Sequence, residues 1–480
     1  MAARYKDNET KIFGGVDWTV VLIYFALVFA GLITIFAAVY NPEHSEFFTI
    51  KYQHGAQMVW IGVSSVIALS ILLIDDRYIF NSAYILYALT MLTLVAVLIF
   101  GTEVNGARSW FQIGSFRLQP SEFAKFTTGL ALARYIGSYN FNIKRMKDIV
   151  TVFGIAMLPA LIIVAQNDTG SALVYGSFML MFYREGFYSW VYMVLIVVIS
   201  LFIASFLLES WIILAILLMV LIAMEGMKNG EWLKKLSVFA SILLVWVVVN
   251  VVCEIFFKNA IALEFTLLMS IALISPFLIV ESLKMGRREI IGYITLFFAS
   301  AFIVFSVDYV FNNVMKVHQQ KRILDTLGLE NDTRGWGYNV NQSKIAIGSG
   351  GFFGKGYLNG TQTKYDFVPE QSTDFIFCTV GEEWGFIGST VIVVLFLILI
   401  LRLMRMGDNQ REGFNRVYCY FVASVLLFHV VINVGMTIGL MPVIGIPLPF
   451  FSYGGSSLMS FTILLFIAVR LDSRNNEHRI

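Results

Sequence analysis

Apolar runs of about twenty residues recur along most of this chain, and a run of that length has few ways to fold. An α-helix of about twenty residues rises roughly 30 Å, the thickness of a bilayer's hydrocarbon core. Inside that core each backbone amide must find a partner in its own segment, so separate runs resolve as helices. Runs at about 18–40, 56–74, 79–100, 121–137, 149–165, 170–184, 188–207, 210–227, 236–257, 260–283, 289–310, 378–402, 416–441 and 456–472 predict about fourteen spans. The fold class expected is an all-α polytopic membrane protein, a single integral-membrane domain over 1–480 with one large connection at 311–377. Charged residues make up only 14% of the chain, against roughly 25% in soluble domains, which excludes a soluble globule.

The basic residues give an expected orientation. Lys144, Arg145 and Lys147, then Lys228, Lys234 and Lys235, then Lys284, Arg287 and Arg288, then Arg402 and Arg405 occupy four connections. An even number of spans separates each cluster from the next, so all four share a face with both termini, and that face is read as cytoplasmic. Connections 41–55, 101–120, 311–377 and 442–455 then lie outside, where no ATP is available. No small-residue cleavage site follows the first run, so that helix is expected to stay in the protein. A net charge of +2 suggests no nucleic-acid partner. The three cysteines lack metal-ligand spacing and read as small hydrophobes. HExxH, Walker A, GxSxG and CxxC patterns are all absent from the sequence.

Four places carry polarity that an ordinary span excludes. Asn105–Lys125 contains Arg108, Trp110 and a Pro120-Ser121-Glu122 helix start, with Glu122 and Lys125 three apart on one face. The pair can tie helices together or floor a cavity that offers Lys125 or Arg108 to an anion. Asp168, in Gln166-Asn167-Asp168-Thr169-Gly170, is a natural helix cap. The interval Asn341–Gly385 gathers Lys344, Lys355, Glu370, Asp374 and Glu383 beside a glycine cluster, and reads as a flexible loop able to approach a phosphate. Pro442, Pro447 and Pro449, three of only eight prolines, mark a broken re-entrant hairpin before Gly454-Gly455-Ser456-Ser457 opens the last helix. His429, alone in an apolar run, reads as hydrogen-bonded filler.

The segments NGARSWFQIGSFRLQPSEFAK (105–125), QNDTGSA (166–172), QSKIAIGSGGFFGKGYLNGTQT (342–363), FVPEQSTDFIFCTVGEEWGFIG (367–388) and GIPLPFFSYGGSS (445–457) together resemble the SEDS family of shape, elongation, division and sporulation proteins. The run GTQT favours its elongation branch over its division branch. The resemblance implies a SEDS-type helical bundle with a ten-span core: first spans in 1–187, five spans in 188–310 that include a four-helix insertion, an extracytoplasmic catalytic loop at 311–377, and three last spans in 378–480. It implies a peptidoglycan glycosyltransferase of the bacterial cytoplasmic membrane. The substrate implied is lipid II, a disaccharide-pentapeptide on undecaprenyl pyrophosphate, and the partner implied is a class B penicillin-binding protein, a transpeptidase.

The family's essential aspartate matches Asp374, the expected general base. Arg108, Trp110, Glu122, Lys125, Asp168, Lys344, Lys355, Glu370 and Glu383 are the expected substrate-binding residues. Basic members of that set, or a divalent cation such as magnesium or manganese, would stabilise the departing pyrophosphate, and no nucleotide is expected. A lipid II flippase, a division-type polymerase and a scaffold for the transpeptidase are the alternatives. A flippase would spread its polar residues through the bilayer, whereas here they collect in the outer connections.

Overall fold

Polar residues set where the apolar helices begin. The structure, a computed structural model, describes residues 15–40, 52–104, 106–114, 116–229, 232–257, 261–329, 337–365 and 367–477. Most of the 41–55 connection, and Asn105 of the first polar motif, lie outside the described residues. Asp17 caps α1 (Trp18–Ala38), its Oδ1 accepting from the Thr19 amide at 2.9 Å. After α2 (Gln53–Leu73), Asp75 caps α3 (Asp76–Phe100) through the Arg77 amide at 2.9 Å.

A small antiparallel sheet follows: β1 (Thr102–Val104), β2 (Ala107–Ile113) and β3 (Phe116–Leu118), in the order β1-β2-β3. The all-α expectation omitted it. Its signal was present, because Gly106 and Gly114 flank a seven-residue segment and take φ of +81° and +64°. Pro120 then opens α4 (Pro120–Ile136), with Glu122 in the first turn, and α5 is Met146–Ala165.

The run expected as a span at 170–184 is not one helix. It splits into α6 (Thr169–Leu173), a 3₁₀ turn at Val174–Ser177 and α7 (Phe178–Arg184). Ion pairs fasten its far end: Arg184 to Asp408, and Arg416 to Glu185 at 2.8 Å.

The chain divides into two compact units, 188–330 and the remainder. The 188–330 unit holds α8 (Ser189–Leu207), α9 (Ser210–Asn229), α10 (Trp232–Phe257), α11 (Leu263–Met285), α12 (Glu289–Asn313) and α13 (Val317–Thr326). Its own apolar core includes Leu214, Leu218, Ile242, Leu267 and Phe297. The other unit resumes with α14 (Tyr338–Gly350), α15 (Thr361–Lys364), α16 (Ile376–Asn409), α17 (Gly413–Thr437) and α18 (Gly455–Glu477). In that unit the apolar windows of α17 and α18 are each 78% buried, against 28% or less for α2, α3 and α5. α17 and α18, with the almost wholly buried α4, are therefore its centre.

Twelve helices among the described residues are long and apolar enough to cross a membrane. The two other expected spans are the 17-residue α4 and the broken α6–α7 segment. The flexible loop expected over Asn341–Gly385 instead carries most of α14, α15 and the start of α16, and α13 also falls in the 311–377 connection. Gly350, Gly354 and Gly360 serve packing there. At Gly350 an added Cβ would stand 2.0 Å from the Gly381 carbonyl oxygen, so α14 and α16 touch backbone to backbone. Gly350→Ala should therefore lower the melting temperature in detergent by an amount matching about 1–3 kcal/mol or more, the usual cost of overpacking. Gly348→Ala, which meets nothing within 4 Å, should leave it unchanged or raised.

Candidate active site

The site is built where the proline-rich hairpin meets the segment before α16. Ser452 Oγ donates to the Thr373 carbonyl at 2.6 Å and accepts from the Leu448 amide at 2.9 Å. The Tyr453 amide donates to the Ser372 carbonyl at 2.9 Å. Asn433 Nδ2, from α17, donates to both the Asp374 carbonyl at 2.9 Å and the Ile446 carbonyl at 2.8 Å. Non-helical backbone is tolerated among membrane spans only when its polar groups are satisfied in this way. On the other side Glu370, at φ +53°, accepts the Thr373 and Phe375 amides at its carbonyl and the Thr373 hydroxyl at its side chain. Asp374 is thus fixed by its backbone from both directions.

Its carboxylate faces a cavity of about 690 Å³. Glu122, Asp168, Glu370 and Asp374 line it, with Trp60, Trp110 and Tyr453 as aromatic surface and Arg117 as the basic side chain among the described residues. Gly445 lies against Asp374: at φ +77°, a Cβ there would stand 3.4 Å from Asp374 Oδ2. No described residue hydrogen-bonds the Asp374 side chain. Burial pushes its carboxyl up to about 7, and the neighbouring Glu370 carboxylate adds to the rise.

The cavity brings together five of the expected site residues besides offering one that was not assigned. Asp374, Glu370, Trp110, Glu122 and Asp168 all line it. Asp168 also caps α6, accepting the Ser171 amide at 3.0 Å, and its other oxygen accepts Gln119 Nε2 at 2.9 Å. Lys125 sits behind Glu122, only 1% exposed, with its ammonium 2.9 Å from both carboxylate oxygens.

Four expected residues lie elsewhere. The Arg108 side chain runs beside Gly101, and Lys344 packs over Gly439 at the end of α17. Lys355 pairs with Glu382 at 2.6 Å, and Glu383 accepts the Leu358 amide at 3.1 Å. Fully buried Glu382 also accepts the Thr361, Gln362 and Thr363 amides at 2.7, 2.9 and 3.0 Å. These two adjacent glutamates therefore pin the 355–363 segment to α16.

Arg117 belongs to the 105–125 motif but is not among the expected site residues. β3 places it opposite Gln112 of β2, and both line the cavity. Asn433 was missed altogether, although a polar residue inside an apolar run is itself a signal. No group of three or more His, Cys, Asp or Glu side chains suited to a metal gathers among the described residues.

Comparison with known proteins agrees with this architecture. The chain matches the FtsW/RodA/SpoVE family, described as a cell cycle protein, over residues 17–218 and 212–477. It is 32% identical to the peptidoglycan glycosyltransferase RodA of Treponema pallidum (strain Nichols), over 95% of this chain and 98% of that one. It is 28% identical to the peptidoglycan glycosyltransferase MrdB of Escherichia coli (strain K12), over 78% and 73%. Among solved structures it is similar to a chain of a peptidoglycan synthase complex that coordinates polymerization and crosslinking, with TM-score 0.59, 24% identity and coverage of 96% and 98%. It is also similar to Thermus thermophilus rod shape determining protein RodA, with TM-score 0.51, 22% identity and coverage of 95% and 96%. At these identities the two structures speak for the fold.

The raised carboxyl has a consequence for stability. Native Asp374 holds its proton up to about pH 7, whereas an unfolded aspartate releases it near pH 3.9. Ionising it therefore costs the native state stability as pH rises from about 4 to 7. Asp374→Asn should melt above wild type at pH 8, and the gap should shrink as pH falls toward 4. A melting-temperature series across that range checks it.

Proposed function

The chain belongs to the FtsW/RodA/SpoVE family of cell cycle proteins, and from that membership we propose a peptidoglycan glycosyltransferase that polymerises lipid II during cell elongation. The observation that carries the mechanism is the desolvated Asp374 carboxylate on the cavity wall, with no side-chain partner among the described residues. The sugar 4-hydroxyl oxygen attacks the anomeric carbon of the second lipid-linked sugar. Its proton passes to Asp374, and the anomeric C–O bond to pyrophosphate breaks with both electrons leaving on oxygen. Attack opposite the leaving group inverts the anomeric centre. A base with a pKa near the working pH is ionised often enough to act and basic enough to take the proton.

Arg117, on the same cavity, offers the leaving pyrophosphate a charge-assisted fork. Lys125 acts at one remove, by holding the carboxylate of Glu122 in place. Trp110, Trp60 and Tyr453 present faces on which sugar rings can stack. Glu370 is the carboxylate that would hold a magnesium or manganese ion while leaving Asp374 to act as base, since such ions take one or two protein carboxylates and fill the rest with phosphate and water. When bound, that ion would neutralise charge on the pyrophosphate. The energy of the reaction resides in the substrate's own pyrophosphate bond, so no nucleotide is required.

Basic connections and termini lie on the cytoplasmic side of the bacterial inner membrane, and the cavity opens outside. A class B penicillin-binding protein is the partner that cross-links the product. Labelled lipid II supplied to the purified chain with that partner should yield glycan polymer. Folded Asp374→Asn should lose at least about 100-fold of that rate, within the span attributed to general-base catalysis. Equal polymer from both would remove Asp374 as base.

A further inference from the structure

His429 and Asn433 stand one turn apart on α17 and so share a face. Both are buried in a helix long and apolar enough to cross a membrane; both ring nitrogens of His429 have partners, and the Asn433 amide nitrogen has two. His429 Nδ1 lies 3.1 Å from the Pro447 carbonyl, which can only accept, so the partners assign the ring proton to Nδ1. Nε2 then presents a lone pair to the Lys125 ammonium at 3.4 Å.

Lys125 has three N–H donors. Two meet the Glu122 oxygens at 2.9 Å each, and His429 takes the third. The Phe461 ring closes the remaining side, 4.6 Å from the ammonium and edge-on to the imidazole at 4.8 Å. One turn on, Asn433 holds the Ile446 and Asp374 carbonyls together. A single helix face thus joins the cavity's Glu122–Lys125 pair to the hairpin, and the hairpin to Asp374.

We propose that His429 is a positioning residue for the glycosyl transfer: its neutral imidazole spaces the buried Glu122–Lys125 pair from the Gly445–Ser452 hairpin that backs Asp374, with Asn433 completing the brace. The inference rests on the glycosyltransferase reading above. The brace acts on where the reacting groups stand, so its loss falls on kcat. A misplacement of about 1 Å can cost on the order of 100-fold in rate. Glutamine can play both parts, its amide N–H donating to Pro447 and its amide oxygen accepting from Lys125. Leucine can play neither.

The test is lipid II polymerisation by the full chain with its transpeptidase partner, with kcat and KM measured separately and folded protein quantified by size exclusion. His429→Leu should lower kcat at least about 10-fold with KM within about 3-fold, while His429→Gln stays within about 3-fold of wild type. Asn433→Asp, which keeps the shape and removes both donated bonds, should follow His429→Leu. If His429→Leu does not fold, His429→Asn, too short to reach both partners, carries the same expectation.

Wild-type kcat in the leucine or asparagine variant overturns the proposal. So does glutamine failing as badly as leucine, which would mean that the imidazole itself takes part in turnover, and so does a change confined to KM. A silent wild type would instead overturn the glycosyltransferase reading, while an active wild type with unaffected His429 variants overturns this inference alone.

Discussion

Ser452 Oγ and the Thr373 carbonyl meet at 2.6 Å across 79 residues of sequence, and the site depends on that junction. With the Tyr453–Ser372 and Asn433–Asp374 bonds it docks an irregular, proline-broken hairpin onto the segment entering α16. Neither segment could stay among apolar helices alone, since each carries backbone groups that a bilayer cannot satisfy. Docked together they satisfy one another and enclose the Asp374 carboxylate. The desolvation that raises its basicity is therefore a by-product of the contacts that hold the backbone in place.

Buried charge at Lys125 and at Glu382 is handled by pairing. Lys125, at 1% exposure, donates to both Glu122 oxygens and to His429, and fully buried Glu382 accepts from Lys355 and three backbone amides. A buried ion pair is weak evidence for stability, because desolvation offsets much of its attraction, but removing one partner of such a pair is severe. These pairs fix geometry. Asp374 differs from them in having a backbone that is held and a carboxylate that faces open volume. That contrast separates the reacting group from the supporting ones.

Hydropathy made most spans legible, because a run of about twenty apolar residues has essentially one solution in a bilayer. It failed at 170–184, where apolar composition concealed a turn between α6 and α7 that only the packing decides. Part of the glycine cluster, Gly350 and Gly354 among it, was misread for a similar reason. Glycine marks both flexible loops and close backbone contacts, and Gly350 against Gly381 is the second kind. Pro120, Glu122 and Asp168 were legible as helix-start chemistry, because capping is local. Lys355 and Glu383 were not, because their roles depend on partners some twenty residues or more away: Glu382 for the lysine and the Leu358 amide for the glutamate. Asp374 could be named from its motif, but its environment could not, since Asn433, Gly445 and Ser452 reach it from another part of the chain.

The central claim is that Asp374 is a carboxylate made basic by the docked hairpin, and that it takes the proton in the chemical step. The most direct test is the pH dependence of kcat/KM for lipid II polymerisation by the wild-type complex. The expected result is an acid limb centred near pH 7, where the half-buried Asp374 carboxyl loses its proton. An acid limb near pH 4, the ordinary range of an exposed carboxylate, would contradict it.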